Sequence, residues 1–135
     1  MIPMDSAVIY IRVSTEEQVT GYSLQTQEKE CRSYCAVNGL KVDRVFCDAG
    51  ESAKTADRPQ LLEMLQYLES SAKKRSITRA IVYRVDRLAR NMLDHATIRM
   101  SLKTSGVEIK AVMEAKKRVI SELREMGKGG TDEHL

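Results

Sequence analysis

The sequence predicts an α/β fold, a central and mostly parallel sheet of about four to five strands flanked by helices. Short β-branched apolar runs alternate with segments of 3.6-residue periodicity in the order β-α-β-α-β-α-β. The runs around Val8–Ile11 and Ala80–Val82 are apolar on both sides, which calls for cover on both faces of a parallel sheet with right-handed crossovers. Gly39 and Gly106 each stand between a helical segment and a following strand, where a helix stop belongs.

The first strand is expected over Ala7 to Val13. Period-two alternation puts Tyr10, Arg12 and Ser14 on one side and Ile9, Ile11 and Val13 on the other. A helix follows from about Leu24 to Asn38, then a strand over Lys41 to Cys47 and a polar loop from Asp48 to Asp57. The next helix carries Leu61, Leu62, Leu65 and Leu68 on one face, with Asp57 or Arg58 as its cap and Pro59 in its first turn. A strand over Arg79 to Tyr83, a helix over Met92 to Thr104 and a fourth strand over Val107 to Val112 complete the order.

The chain has 135 residues, an apolar share of 42% and 30% charged residues, as expected of one globular domain. Its three cysteines lack C-x-x-C spacing and read as buried free thiols. The two histidines, His95 and His134, make neither a zinc cluster nor a Ser-His-Asp arrangement, so no metal site is expected. No apolar run approaches the ~18 residues of a membrane span, and the N-terminus lacks an export signal, so a cytoplasmic protein without membrane contact is expected. Net charge is only +3, but Arg84, Arg87 and Arg90 gather in one stretch and Lys73-Lys74-Arg75 in another, which favours a local anionic partner. With five tyrosines, one phenylalanine and no tryptophan, contacts to a duplex backbone suit the chain better than base stacking.

Functional candidates fall at three strand ends, where open α/β sheets bind ligands: Arg12 and Ser14, then Asp48 and Ser52, then Asp86, Arg87 and Arg90. Arg87 and Arg90 share a helical face if a turn begins there, and each guanidinium can fork onto a phosphate. Ser14 has two readings. It is a nucleophile beside fixed cations, or, with Glu17 three residues on, one half of a capping box. For Val85 to Arg90 the plain alternative is a solvated loop with a surface ion pair.

The ordered segments Y-I-R-V-S-T, G-Y-S-L-Q-T-Q, F-C-D-A-G-E-S, D-R-P and Y-R-V-D-R-L-A-R-N resemble the catalytic domain of the serine recombinases, the resolvase and invertase family, especially its large serine integrase branch. The resemblance covers about Ala7 to Val112 and implies a three-layer resolvase-like fold and DNA strand exchange. It implies that Ser14 attacks a DNA phosphodiester to form a 5′-phosphoserine. It likewise implies that Arg12, Arg58, Arg87 and Arg90 surround the scissile phosphate and that Gln25, Asp48 and Ser52 are polar active-site positions. Asp86 matches an aspartate that either orients the phosphate site or transfers a proton to the leaving group; orientation is the preferred role. Such a site needs no cofactor, because clustered guanidiniums can stabilise the transition state and lower the hydroxyl pKa.

The end of the chain departs from that pattern. A catalytic domain is expected over 1–115, a shortened helix over 116–126 resembling part of the family's assembly helix, with Glu122 at a family glutamate, and a flexible tail over 127–135. A weak dimer is expected of this chain, and a tetramer on double-stranded DNA of a complete recombinase. A fragment and a natural truncation both fit this ending. The alternative function is a non-catalytic or degraded recombinase-like regulator that binds DNA or dimerises. A flavodoxin- or receiver-like phosphate binder lacks its glycine-rich loop here.

Overall fold

The computed structural model describes residues 4–13, 24–49, 58–88 and 91–133, covering the backbone at Asp86 and 128–133. In chain order the elements are β1 (Ser6–Val13), α1 (Leu24–Val37), β2 (Lys41–Ala49), α2 (Pro59–Ser71), β3 (Ile77–Val82), α3 (Val85–Leu88), α4 (Met92–Thr104), β4 (Glu108–Ala111) and α5 (Val112–Glu133). Among the described residues the sheet has four strands in the order β2-β1-β3-β4, all pairs parallel. This is the three-layer arrangement the alternation predicts.

Burial follows the alternation of β1. Val8 and Tyr10 pack with Leu61, Met64 and Leu68 of α2, Leu88 of α3, and Ile98 and Leu102 of α4. Ala7, Ile9, Ile11 and Val13 pack on the opposite face with Cys31 and Cys35 of α1 and Val112 of α5. The two faces therefore close separate cores, and β1, central in the sheet, belongs to both. On α2 the buried stripe is Leu61, Met64 and Leu68 rather than four leucines, and Leu62 is exposed.

Several boundaries move for identifiable reasons. β2 continues to Ala49 because its ladder with β1 runs on through Arg12↔Asp48 and Val13↔Ala49, so Asp48 is a strand residue and not the start of the loop. β3 begins at Ile77, two residues early, because Ser76 takes a left-handed φ of 55° and reverses the chain as Gly39 (φ 67°) and Gly106 (φ 76°) do after α1 and α4. A side chain in that region costs about 1–2 kcal/mol. The helix expected over 116–126 is a longer one, starting at Val112 and running through Gly127 to Glu133 in place of the tail. Gly127 does not take the left-handed conformation of a stop. Inside a helix it costs only about 0.5–1 kcal/mol relative to alanine, so the helix continues through it.

The start of α2 gives a further correction. Arg58 holds the N-cap position at φ 35° and makes no side-chain cap bond, while Pro59 begins the helix. The cap is Asp48 of β2, whose Oδ1 accepts from Gln60 N at 3.0 Å and Oδ2 from Leu61 N at 3.1 Å. A carboxylate there satisfies two orphan amides and faces the positive end of the helix dipole.

Candidate functional site

The carboxyl ends of β1 and β2, the start of α2 and the short α3 meet at one end of the sheet, where such folds place ligands. Tyr10 and Arg12 alternate with the buried apolar residues of β1. The Tyr10 hydroxyl donates to Asp48 Oδ2 at 2.7 Å. Burial first, then this bond and the Asp48 charge, push the phenol above its ordinary range, while Arg58 and Arg12 partly oppose the shift. Tyr10 thus remains a donor and Asp48, fully buried, an acceptor for three neutral donors.

Arg12 and Arg87 hold one another by their backbones. Arg12 Nε donates to the Arg87 carbonyl at 3.1 Å, and Arg87 Nη1 donates to the Arg12 carbonyl at 3.4 Å. Gln27 of α1 reaches the Arg12 carbonyl with Nε2 at 3.3 Å. Two half-buried guanidiniums from β1 and α3 are thereby fixed at the strand end immediately before Ser14. The α3 turn is tied from its other end, since Glu114 of α5 accepts from Val85 N at 3.1 Å and Met113 N donates to the Tyr83 carbonyl.

Arg58 is only 7% exposed. Its Nη1 donates to the Leu88 carbonyl at 2.6 Å, and its Nη2 contacts both oxygens of Asp94 at 3.0 and 2.9 Å. Asp94 sits in the first turn of α4, capped by Asn91 Oδ1 accepting from Asp94 N at 2.8 Å. Arg58 thus joins the start of α2 to the end of α3 and the start of α4.

The sequence-predicted residues therefore separate. Arg12, Asp48, Arg58 and Arg87 come together, and the Asp86 backbone lies in α3 beside Arg87. Gln25 is exposed on α1, whereas Gln27 is buried and faces the site. Glu122 is exposed on α5, away from these bonds. Ser14, Ser52 and Arg90 lie outside the described residues. Sequence reasoning missed Gln27, Asn91, Asp94 and Glu114. Gln27 could have been found, because it stands four residues before Cys31 and eight before Cys35 on the buried stripe of α1, where a polar side chain needs a partner.

Among the described residues no group of His, Cys, Asp or Glu could hold a metal ion, and no helix is long and apolar enough to cross a membrane. The thiols are free, and burial, with Cys35 and nearby glutamates adding to it, pushes Cys31 up to about 12. Such protonated thiols are poor nucleophiles.

Residues 7–128 match the family model "Resolvase, N terminal domain". The chain is 44% identical over 62 residues to the uncharacterized immunity region protein 3 of Bacillus phage phi105, covering 45% of this chain and 76% of that protein. It is 35% identical over 105 residues to the transposon Tn21 resolvase of Escherichia coli, covering 78% of this chain and 46% of the resolvase, so it spans about half of that relative. Its fold is that of a resolvase family site-specific recombinase from Streptococcus pneumoniae, with a TM-score of 0.70, 23% identity, and coverage of 94% of this chain and 90% of that one.

Proposed function

We propose, for a chain that belongs to the resolvase N-terminal domain family, the catalytic domains of the serine recombinases, that it cleaves and rejoins double-stranded DNA at specific sites through a 5′-phosphoserine at Ser14. The observation that carries this reading is the reciprocal hold of Arg12 and Arg87 at the end of β1, two residues before Ser14. A guanidinium pair fixed by carbonyls at a strand end suits a phosphodiester, and it needs little reorganisation as charge develops in the transition state.

In this reading the Ser14 oxygen attacks phosphorus, the 3′ oxygen leaves, and the phosphoserine keeps the ester for religation. Arg12, Arg87 and Arg90 stabilise the pentacovalent state, and Asp86 orients them. Arg58 keeps its place near the site through Leu88 and Asp94 and supplies further positive potential. Asp48 acts by seating α2 and Tyr10. Gln25 and Ser52 remain proposed polar contributors, and Glu122 a proposed contributor to assembly. DNA engagement by this chain is expected to be weak, with little sequence preference and steep salt dependence, because phosphate contacts position a protein without reading bases. Val119, Ile120, Leu123 and Met126 of α5, 50–72% exposed, support a weak dimer, with the tetramer belonging to a complete recombinase on DNA.

The test grafts this domain onto the assembly and DNA-binding regions of a working serine recombinase and looks on a denaturing gel for protein joined to 5′ DNA ends. Ser14→Ala is expected to abolish the linked product and leave melting and DNA binding nearly unchanged. Arg12→Ala and Arg87→Ala are expected to lose about 2–4 kcal/mol of transition-state stabilisation each. A linked product persisting in Ser14→Ala removes Ser14 as the nucleophile. A second reading, a non-catalytic regulator that pairs with a complete recombinase, draws on the similarity to a short phage protein named for an immunity region. It expects no linked product from the wild-type graft and inhibition of a complete recombinase by wild type and Ser14→Ala alike.

A further inference from the structure

The outer side of β4 opens into a groove of about 910 Å³ between α4 and α5, and its lining includes none of Arg12, Arg58 or Arg87. β4 pairs with β3 from Arg79↔Glu108 to Val82↔Ala111, and no strand lies on its other side among the described residues. The helices that flank it belong to opposite faces of the sheet: Ile98 and Leu102 of α4 pack in one core, Val112 of α5 in the other. The space between them has the position of one more strand layer. Extended chain occupies about 160 Å³ per residue at the usual strand rise, ladder spacing and layer spacing, so the groove holds about six residues.

The lining fixes the chemistry. Its cations are Arg79, Arg99, Lys103, Lys110 and Arg118, against two carboxylates, Glu108 and Glu114. Glu108 is occupied by Lys110 Nζ at 3.0 Å, and Glu114 accepts from Val85 N. Between these charges lie Met100, 70% exposed, and the half-buried Ile109, Ala111 and Ala115. The site is therefore a free ladder edge with apolar footing and a positive rim.

We propose that this groove binds an extended segment of a partner protein, about six residues of alternating acidic and apolar side chains, as a fifth strand on β4. The ladder supplies affinity without regard to sequence, and each face of the added strand meets both kinds of group, Met100 beside Arg99 and Lys103 on the α4 side and Ala115 beside Arg118 on the α5 side, so acidic and apolar side chains each find a partner. A second copy of this edge would bring the same cations, and Lys110 in the strand opposes such self-pairing. A DNA duplex has no extended main chain to pair with the free edge of β4. The proposal is independent of the chemistry assigned to Ser14.

The test uses the full chain and a fluorescein-labelled eight-residue alternating Glu-Val peptide, read by anisotropy and by amide exchange at 108–111. Saturable binding is expected, with slower exchange confined to β4 and its neighbours. The exposed double variant R99E/K103E is expected to weaken binding about tenfold or more, and an alternating Lys-Val peptide to bind at least that much more weakly. The Glu-Val peptide N-methylated throughout, which keeps its charges and loses its ladder donors, is expected not to bind. No saturable binding, equal binding of the methylated peptide, or an unchanged affinity in a folded R99E/K103E overturns the proposal. So does displacement of the peptide by a short DNA duplex whose own binding falls in the same variant, which would assign the rim to nucleic acid.

Discussion

At the β2 edge of the sheet Asp43 accepts from the Tyr67 hydroxyl and from Arg75 Nε at 2.9 Å, and the Arg44 guanidinium lies 4.2 Å from the centre of the Tyr67 ring. Phe46 stands 5.9 Å from the same ring. A few residues further along β2, Asp48 is held by three donors. At the β4 edge the strand is four residues long, Ile109 and Ala111 are only half-buried, and charged side chains line an open groove. Both are edges of the sheet, but at β2 the polar side chains are paired across elements, whereas at β4 charged side chains line an open groove. The β2 side carries the start of α2, bonded by Asp48, and hence Arg58.

The largest effect expected of this contrast comes from Asp48→Ala. It removes the cap of α2 and strands the Tyr10 hydroxyl and two amides in the interior. A loss of about 3–5 kcal/mol is expected, read from denaturant unfolding, because buried groups left without partners bear their full desolvation cost. Arg99→Ala at the open edge is expected to stay within about 0.5 kcal/mol of wild type. Comparable losses from both would end the distinction between the edges.

A smaller effect separates polar closure from simple burial at β2. Burial raises the Asp43 pKa, but the bonds from Tyr67 and Arg75 outweigh it and hold the carboxyl below its ordinary value. A folded pKa below the unfolded one stabilises the protein above the unfolded value, near 3.9, and this contribution disappears as pH falls through the folded value. Tyr67→Phe relaxes the shift. It is expected to destabilise by about 0.5–1.5 kcal/mol at pH 7 and by less as pH falls through the folded value, where the wild-type carboxyl takes up its proton too. Melts over an acid pH series decide the matter; a deficit that stays constant while the carboxyl titrates would mean that Asp43 ionisation plays no part.

What was legible in the sequence divides along the same line. Strand alternation and helix periodicity reveal apolar burial, so β1, α1, α4 and the two-sided sheet could be read directly, as could the nearness of Arg12 to the start of α3. Polar closure works over distance. Asp48 caps a helix 12 and 13 residues ahead, beyond the three-residue span of local capping patterns, and it read instead as a loop carboxylate. Arg58 reads as a phosphate-site arginine or a cap; that it also meets Asp94, 36 residues on, is told by nothing local. Ser76 was invisible as a turn because a serine was doing what glycine does after α1 and α4.

The smallest expected effect concerns the far end of the open side. Gly127 begins the stretch expected as a tail, yet it lies inside α5, and a Cβ built on it meets nothing within 4 Å. Alanine there needs no rearrangement and removes backbone freedom from the unfolded chain, so Gly127→Ala is expected to stabilise by about 0.4–1 kcal/mol where the helix is fully formed. Fraying near the end reduces what global unfolding registers, because residues already open in the native ensemble contribute little. The more direct readout is helicity by circular dichroism together with amide exchange across 123–131. Slower exchange and a small gain in helix content are expected, with no change at β2. If Gly127→Ala alters neither quantity, α5 ends before Gly127 in solution, and the open side of the molecule is shorter by nearly two turns.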